Sequence, residues 1–386
     1  MKILYDYQAF QLQKVGGVSN CFAELIAHLP HSVEWEIGLC ESNNIHLRDK
    51  CLIPNLKNES LNAGNFISDS HFFGKKTVYN YLNNKFKNFP SSEHINQRYS
   101  IELLKKQDYD VFHPTFFNPY FLDYIGKKPF VLTIHDLITD KFRSANHLQT
   151  IWRKTLLPRA SHIVTVSEKT KQDVVDILNI PADKISVIYH GVSIPDDMVF
   201  KDIIGGKYFL YVGRRNTYKN FILMVKSMAN FLINHPDYKL VCTANDFSKD
   251  EISLFEHLKI RNQIIHVFAS YDELLSLYKY AKAFIFPSLY EGFGIPILEA
   301  YAMQCPVLLT EESCFPEIAG DAAIYFKLNE KEDTFRTVID NFVNMDKEAI
   351  NSLLHKQDRR LQKYSWEKSA LQLTELYDNI ISEKNK

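Results

Sequence analysis

The sequence lacks a long apolar run, a strong charge of either sign and any paired cysteine motif. No stretch approaches the ~20 apolar residues that a membrane helix needs, and the amino terminus has the pattern of a short strand and not of a signal peptide. A formal net charge of −1 argues against a nucleic-acid partner held by bulk electrostatics. We therefore expect a cytoplasmic protein that contacts a membrane, if at all, only through its surface.

The cysteine pattern argues against disulfides and against zinc. The chain has six cysteines, without a C-x-x-C pair and without histidines at zinc-binding spacing. Asp108-Tyr-Asp110 matches the D-x-D of some metal-dependent sugar transferases, but it lies at the start of a predicted strand, opposite the edge where ligands bind. We expect no metal site and no bound cofactor.

Strand-length apolar runs alternate with helical patterns along the whole chain, which is typical of parallel sheets with helices on both faces. With 386 residues and 46% hydrophobic content, the chain is long enough for two domains. The segment 190–206 is rich in Gly, Pro and Asp, and it is the predicted linker. The fold class is therefore α/β, with two Rossmann-like, doubly wound sheets that face a central cleft. The predicted strands are 2–7, 35–40, 111–113, 130–134, 163–166, 186–189, 208–212, 239–243, 264–268, 283–287 and 306–310.

The most informative motif is the segment 286–299, in which Glu291 and Glu299 flank a Gly-Phe-Gly-x-Pro turn after an apolar strand. Pro296 suits the first turn of a helix, which would place Glu291 in the loop and Glu299 about one turn into the helix. The amides of such a turn favour phosphate oxygens. Carboxylates beside an anion site favour hydroxyl groups, so the motif indicates a nucleotide sugar. Each glutamate taken alone is more often a solvated surface residue.

A basic loop follows the first strand of the second half. It begins at Gly213 and contains Arg214, Arg215 and Lys219, which together have the charge to hold a diphosphate. Solvated surface is the alternative interpretation. The position at a strand end, in the same domain as Glu291, favours a ligand site.

Two further features belong to the first half. Gly16-Gly17 lies between the first strand and a helical pattern, and would let the backbone approach a phosphate or a sugar, although such pairs also make simple turns. It is not the dinucleotide fingerprint, which needs a third glycine. His135, within Thr133-Ile-His-Asp-Leu137, ends a strand and is placed to contact a substrate, but a lone histidine there is more often structural. His113 and His190 lie at comparable strand ends.

The segment 71–89 interleaves aromatic residues with four lysines. This composition suits contact with an anionic membrane surface. A solvated helix with one buried stripe explains it equally well.

Taken together, these motifs resemble the retaining glycosyltransferases of family 4, which have the GT-B fold. Glu291-x7-Glu299 matches the E-x7-E motif, and the resemblance also covers Gly213 to Lys219, Gly16-Gly17 and the segment 316–323. The His135 and Lys219 surroundings look most like those of bacterial O-antigen and capsule mannosyltransferases. The resemblance implies a domain of residues 1–195 that receives the acceptor and a donor domain of residues 196–364, with the carboxyl-terminal helix 365–386 returning to the first.

The resemblance also implies residue roles. Glu299 would bind the ribose and Glu291 the transferring sugar, while Arg214 or Arg215 acts with Lys219 on the leaving diphosphate, and His135 contacts the donor sugar. The implied catalytic residues are His135, Arg215, Lys219 and Glu291. The implied donor-binding residues are Gly16, Gly17, Gly213, Arg214, Arg215, Lys219, Glu291, Gly292, Phe293, Gly294, Ile295 and Glu299.

The implied reaction is retaining transfer of a hexose, namely mannose from GDP-mannose, to a glycan or lipid-linked acceptor at the inner membrane face. Three alternatives stay open. They are transfer of glucose, galactose or an N-acetylhexosamine from a UDP-sugar, epimerisation of a sugar nucleotide, and binding without catalysis.

Overall fold

The computed structural model describes residues 1–63, 66, 74–86, 89–142, 147–195, 197–215, 217–329 and 331–384. These residues contain two groups of parallel strands with helices packed around them. The strands are β1 (Lys2–Asp6), β2 (Glu34–Gly38), β3 (Val111–His113), β4 (Val131–Ile134), β5 (His162–Thr165), β6 (Ile185–Val187), β7 (Lys207–Tyr211), β8 (Tyr238–Cys242), β9 (Ile264–His266), β10 (Ala283–Phe286), β11 (Val307–Thr310) and β12 (Ile324–Phe326).

Helices connect nearly all consecutive strands, as crossovers between parallel strands require. Those of the first half are α1 (Gln8–Leu12), α2 (Gly17–Ala27), α3 (Ile45–Asp49), α4 (Lys75–Lys85), α5 (Ser92–Lys106), α6 (Ile138–Phe142), α7 (Leu148–Leu156) and α8 (Glu168–Leu178). Those of the second half are α9 (Phe221–Asn234), α10 (Lys249–His257), α11 (Tyr271–Tyr280), α12 (Ile295–Ala302), α13 (Phe315–Ala319), α14 (Phe335–Val343), α15 (Lys347–Leu361) and α16 (Trp366–Lys384).

The first domain contains the strand orders β2-β1-β3 and β4-β5-β6, joined by a parallel bridge between Phe112 and Phe130. The second domain has one sheet of order β12-β11-β10-β7-β8-β9. Every strand pairing is parallel, and β4, β10 and β11 are buried along their whole length. Helices cover both faces of such sheets, which is why these strands read as continuous apolar runs.

The predicted α/β class with two doubly wound sheets is confirmed, and each of the eleven predicted strands is present within a few residues of its predicted ends. Sequence patterning missed β12. This strand has only three residues and pairs only with β11 at the sheet edge, so it is too short to show a period of its own.

The carboxyl-terminal helix α16 packs on the first domain. Trp366, Leu373 and Tyr377 are buried in one core with β1 and α2 residues, and the Tyr377 hydroxyl lies 3.1 Å from that of Tyr5. The contact holds the end of the chain against its beginning.

Truncation of Trp366 tests how much this docking stabilises the fold. Trp366 is 2% exposed, so Trp366→Ala should lower the unfolding free energy by about 3–5 kcal/mol, because it leaves a large cavity. Leu371→Ala on the same helix, at a side chain 52% exposed, is the control and should change it by less than about 0.5 kcal/mol. Equal urea midpoints for the two variants would show that α16 is dispensable for stability.

Candidate donor and catalytic site

The E-x7-E segment connects β10 to α12 at the carboxyl edge of the second sheet. Gly294 caps α12 with a φ of +95°, a conformation that favours glycine, and Pro296 lies in the first turn, as predicted. Glu291 is in the loop, and Glu299 lies in α12. The structure thus gives both carboxylates the predicted local positions.

Lys219 and Glu291 form an ion pair in which both side chains are mostly buried. The basic loop and the glutamate loop are also joined through the backbone, because the Leu289 amide donates to the Tyr218 carbonyl at 2.8 Å. Ser313 donates its hydroxyl to the Glu291 carbonyl at 2.8 Å and accepts from the Glu291 amide at 3.0 Å. One cation and one carboxylate are therefore held side by side at the strand ends.

Glu299 lies at the wall of a cavity of about 600 Å³ between the domains. Its carboxylate accepts a hydrogen bond from the Tyr278 hydroxyl at 3.2 Å. Burial raises the pKa of Glu299 to about 7, and hydrogen bonds from Tyr278 and Tyr271 oppose that rise. The cavity is lined by side chains of both domains and of the linker, among them Val15, Asn20, Asp49, Lys50, Val192, Ile194, Ala269, Tyr271, Leu274, Ile295, Glu299 and Trp366.

The two arginines of the basic loop differ in their surroundings. The Arg215 guanidinium is bonded to the Glu251 carboxylate at 2.6 Å and to the carbonyls of Thr243, Asn245 and Asp246. Its donors are therefore used within the domain, and a diphosphate would have to displace Glu251 to reach them. Arg214 is exposed and lines a shallow surface depression beside α10.

Gly16 and Gly17 are at the start of α2, with Gly17 as its first residue. The neighbouring Val15 and Asn20 line the cavity that contains Glu299. The amino-terminal amides of α2 therefore lie beside the donor side of the cleft, where an anion would be stabilised.

His135 follows β4 and lies among other rings, 5.7 Å from the His190 ring between centroids. Its Nε2 atom is buried and has no hydrogen-bond partner among the described residues. Burial lowers the pKa of His135 to about 4, so the imidazole is neutral at pH 7. This nitrogen therefore has unused hydrogen-bonding capacity in the interior.

Cys21, His135 and His190 bring three metal-ligating atoms within 4.8 Å of one another, a grouping that the sequence spacing did not reveal because it joins three distant segments. The Cys21 sulfur lies 3.4 Å from His190 Nδ1. Burial raises the pKa of the Cys21 thiol, so that it is protonated at neutral pH. The absence of a metal requirement stays a prediction.

The amino terminus of α8 holds the glutamate loop from the opposite domain. The Gly292 carbonyl accepts from the Ser167 hydroxyl at 2.6 Å and from the Thr170 hydroxyl at 3.2 Å. Tyr290 donates to the Asp173 carboxylate at 2.9 Å. A Cβ at Gly292 would come within 1.7 Å of the His135 carbonyl oxygen, so glycine is required for this approach.

A second contact across the domains involves Glu317, whose carboxylate accepts from the Glu168 and Lys169 amides at 2.7 and 3.0 Å. Glu317 lies within the predicted matching segment 316–323, whereas Ser167, Thr170 and Tyr290 were not among the predicted site residues. The available signals were the cap-forming Ser167 before a helical pattern and the tyrosine next to Glu291.

Three other candidates have structural partners. His113 bonds the Tyr377 hydroxyl at 2.6 Å and the Thr133 hydroxyl at 2.8 Å, so it faces α16 and not the cleft. Asp108 and Asp110 both bond Lys2 at the opposite end of the strands.

The predicted membrane-contact segment 71–89 lies partly outside the described residues. Within the described part, α4 buries Tyr79 and exposes Val78 and Tyr81. Among the described helices, none combines the length and the apolarity that crossing a bilayer demands.

Comparison with solved structures shows the fold. The chain superposes on Anabaena Alr3699/HepE in complex with UDP and glucose with a TM-score of 0.74 and 14% identity, covering 98% of this chain and 100% of the other. It superposes on sucrose-phosphate synthase of Thermosynechococcus elongatus with a TM-score of 0.66 and 16% identity, covering 99% and 100%.

Sequence relatives include the O-antigen chain mannosyltransferase RfbU of Salmonella typhimurium, 30% identical over 54% of this chain and 60% of the relative. O-antigen chain mannosyltransferase B of Escherichia coli is 25% identical over 59% of this chain and 64% of the relative. The matched region thus spans less than two thirds of either relative.

The family models divide the chain at the linker. Residues 68–194 match the model described as Glycosyltransferase Family 4, and residues 200–365 match Glycosyl transferases group 1. Together with the E-x7-E loop, the basic loop and the two facing sheets, these matches show that the chain belongs to glycosyltransferase family 4.

Proposed function

We propose that this protein is a retaining hexosyltransferase that uses a nucleotide-sugar donor. The observation that carries the proposal is the pairing of Lys219 with Glu291 in the loop that leads into α12, whose Ile295 and Glu299 line the cavity between the domains. This arrangement offers a cation for a leaving diphosphate and carboxylates for neutral hydroxyls, which are the two chemistries of a nucleotide sugar. Binding of UDP and glucose by Anabaena HepE, which has the same fold, supports a donor of this class.

In the proposed mechanism, Glu299 accepts hydrogen bonds from the ribose and Glu291 from hydroxyls of the transferring sugar. Lys219 stabilises the negative charge that grows on the diphosphate as the glycosidic bond breaks, and electrostatic stabilisation of this kind usually contributes more to catalysis than any other single effect. Neutral His135 offers its unpartnered nitrogen to the sugar. The acceptor attacks on the face that the diphosphate leaves, and a phosphate oxygen takes the acceptor proton, so the configuration is retained.

We further propose that the sugar is mannose, supplied by GDP-mannose, and that the acceptor is a glycan or lipid-linked oligosaccharide of a surface polysaccharide. The two O-antigen mannosyltransferase relatives support this choice. The lysines of α4, its exposed Tyr81 and the exposed Phe86 that follows the helix support peripheral contact with an anionic membrane. A UDP-sugar donor is the second candidate, favoured by the structural similarity to HepE.

Thermal shift measurements test which nucleotide sugar binds. NMR of the nucleotide sugar tests whether the protein converts it. GDP-mannose should raise the melting temperature more than UDP-glucose, UDP-galactose or UDP-N-acetylglucosamine, since a bound ligand stabilises the native state.

Lys219→Ala and Glu291→Ala should lower transfer by roughly 10²–10³-fold without unfolding the protein. Donor conversion without any acceptor would indicate an epimerase, and full activity in both variants would refute the transferase assignment.

Alanine substitutions of Arg214 and of Arg215 should affect different properties, one the rate of transfer and the other the stability of the fold. Arg215 and Glu251 are 6% and 12% exposed, so Arg215→Ala leaves a mostly buried carboxylate without its cation and should cost about 3–5 kcal/mol of stability. Arg214→Ala removes an exposed guanidinium that is free to turn towards the diphosphate. It should keep the melting temperature and lower kcat on the order of 10²-fold. An unchanged kcat in Arg214→Ala would contradict this role of Arg214 and would leave Lys219 as the cation that stabilises the diphosphate.

Donor binding should depend on pH through Glu299. Its pKa of about 7 means that the carboxylate that accepts from ribose is lost as the pH falls below 7. The donor Kd should rise by up to about tenfold per pH unit between pH 7 and pH 5. His135, with a pKa of about 4, stays neutral over this range. Calorimetry should show a nearly flat profile for Glu299→Gln; a profile that persists in this variant would assign the titration to another group.

A further inference from the structure

A mostly buried cluster of one thiol and two imidazoles lies where three segments of the first domain meet. Cys21 belongs to α2, His135 follows β4, and His190 opens the predicted linker. One ligating atom of each residue lies within 4.8 Å of the other two. We call this group the thiol-imidazole cluster. Thiolate sulfur and imidazole nitrogen are the ligands that zinc and other soft cations prefer in proteins.

The distances within the cluster suit a tetrahedral cation. Zinc binds sulfur at about 2.3 Å and imidazole nitrogen at about 2.0–2.1 Å, which places two such ligands of one ion about 3.5 Å apart. The Cys21 sulfur lies 3.4 Å from His190 Nδ1. His135 Nε2 has no hydrogen-bond partner among the described residues, so its ring can turn towards an ion without losing a hydrogen bond. The three side chains therefore need little rearrangement to coordinate one ion.

The cluster has room for an ion and an apolar shell around it. A cavity of about 10 Å³ borders Cys21 and His190 and is otherwise lined mainly by aliphatic side chains. This is about the space that one water molecule requires. The rings of Phe293 and Trp366 pack against the His190 ring, at 4.9 and 5.3 Å between centroids. Such surroundings favour a soft cation over Mg²⁺, which prefers oxygen ligands and gives up its water reluctantly.

An ion can reach the cluster from the cavity between the domains. Asn20 directly precedes Cys21 and lines that cavity. Gly191 directly follows His190 and lines it as well. The cluster therefore lies just behind the wall that also contains Glu299.

We propose that the thiol-imidazole cluster binds one Zn²⁺ ion and that the bound ion inhibits sugar transfer. Cys21 coordinates as the thiolate, and its proton passes to the solvent. His135 and His190 coordinate as neutral imidazoles, and a water molecule takes the fourth position. The ion occupies the His135 nitrogen that the proposed mechanism offers to the donor sugar. The inhibition, unlike the binding, rests on the proposed function, and it leaves the prediction that catalysis needs no metal unchanged.

Cobalt substitution tests the binding with the full-length protein, because Co²⁺ accepts the same ligands as Zn²⁺ and reports them in its absorption spectrum. Co²⁺ added to the metal-free wild type should produce a sulfur-to-cobalt charge-transfer band. Zn²⁺ should abolish the band, whereas Mg²⁺ should not. Cys21→Ser should remove the band and weaken zinc binding by roughly 100-fold or more, since loss of an outer-shell partner alone costs about 10–100-fold. His190→Gln keeps the thiol and should weaken zinc binding to a similar extent.

Cys51→Ser is the matched control, because Cys51 is an exposed free thiol outside the cluster. This variant should give the wild-type band and the wild-type affinity for zinc. A band that disappears in Cys51→Ser would assign the metal to a surface thiol and overturn the site. A wild type that takes up no zinc, or that binds it no more tightly than Cys21→Ser and His190→Gln do, would overturn the site as well.

Transfer rates with and without Zn²⁺ test the inhibition. Saturating Zn²⁺ should lower the wild-type rate on the order of 10²-fold, because His135 no longer reaches the sugar, and EDTA should restore it. Cys21→Ser and His190→Gln should each keep their own metal-free rate when the same Zn²⁺ is added. An unchanged rate in zinc-loaded wild type would overturn the inhibitory role. If the metal-free protein transfers no nucleotide sugar, the proposed transferase function fails, and the cobalt spectrum alone decides the zinc site.

Discussion

The contact between the glutamate loop and the first domain is the constraint on which the rest of the site depends. Gly292 lies so close to the His135 backbone that no side chain fits between them, and α8 hydroxyls hold its carbonyl. Glu291 directly precedes Gly292 in the glutamate loop, and His135 belongs to the first domain. The same backbone contact therefore fixes the distance between the groups that we assign to the two sides of the donor sugar, and it does so through non-covalent contacts.

Electrostatics divides the cations of the site into fixed and available ones. Glu251 and three carbonyls hold Arg215, which stabilises the start of the donor domain. Lys219 is paired with Glu291, so a diphosphate would exchange one anionic partner for another at the same place. Glu299 has no cationic partner among the described residues, and its burial raises the free energy of the charged carboxylate. Hydrogen bonds from the hydroxyl groups of a ligand would lower that free energy. In our proposal, a bound nucleotide sugar satisfies the charges of these groups.

The first domain lines two cavities. One is shared between the domains and contains Glu299, and the other belongs to the first domain and is rich in amides and rings. The consecutive residues Lys14 and Val15 line one cavity each.

Local sequence patterns were enough to predict the α/β class, eleven of the twelve strands among the described residues, and the local placement of Glu291, Pro296 and Glu299. Buried strands, glycine turns and helix starts each leave a signal within a few residues. Only the tertiary structure decided that Arg215 is bound by Glu251, that His113 faces α16, and that Ser167 and Glu317 join the domains. Those outcomes depend on residues 36 to 264 positions apart, whose side chains meet only when the sheets pack, and no local pattern records such a meeting.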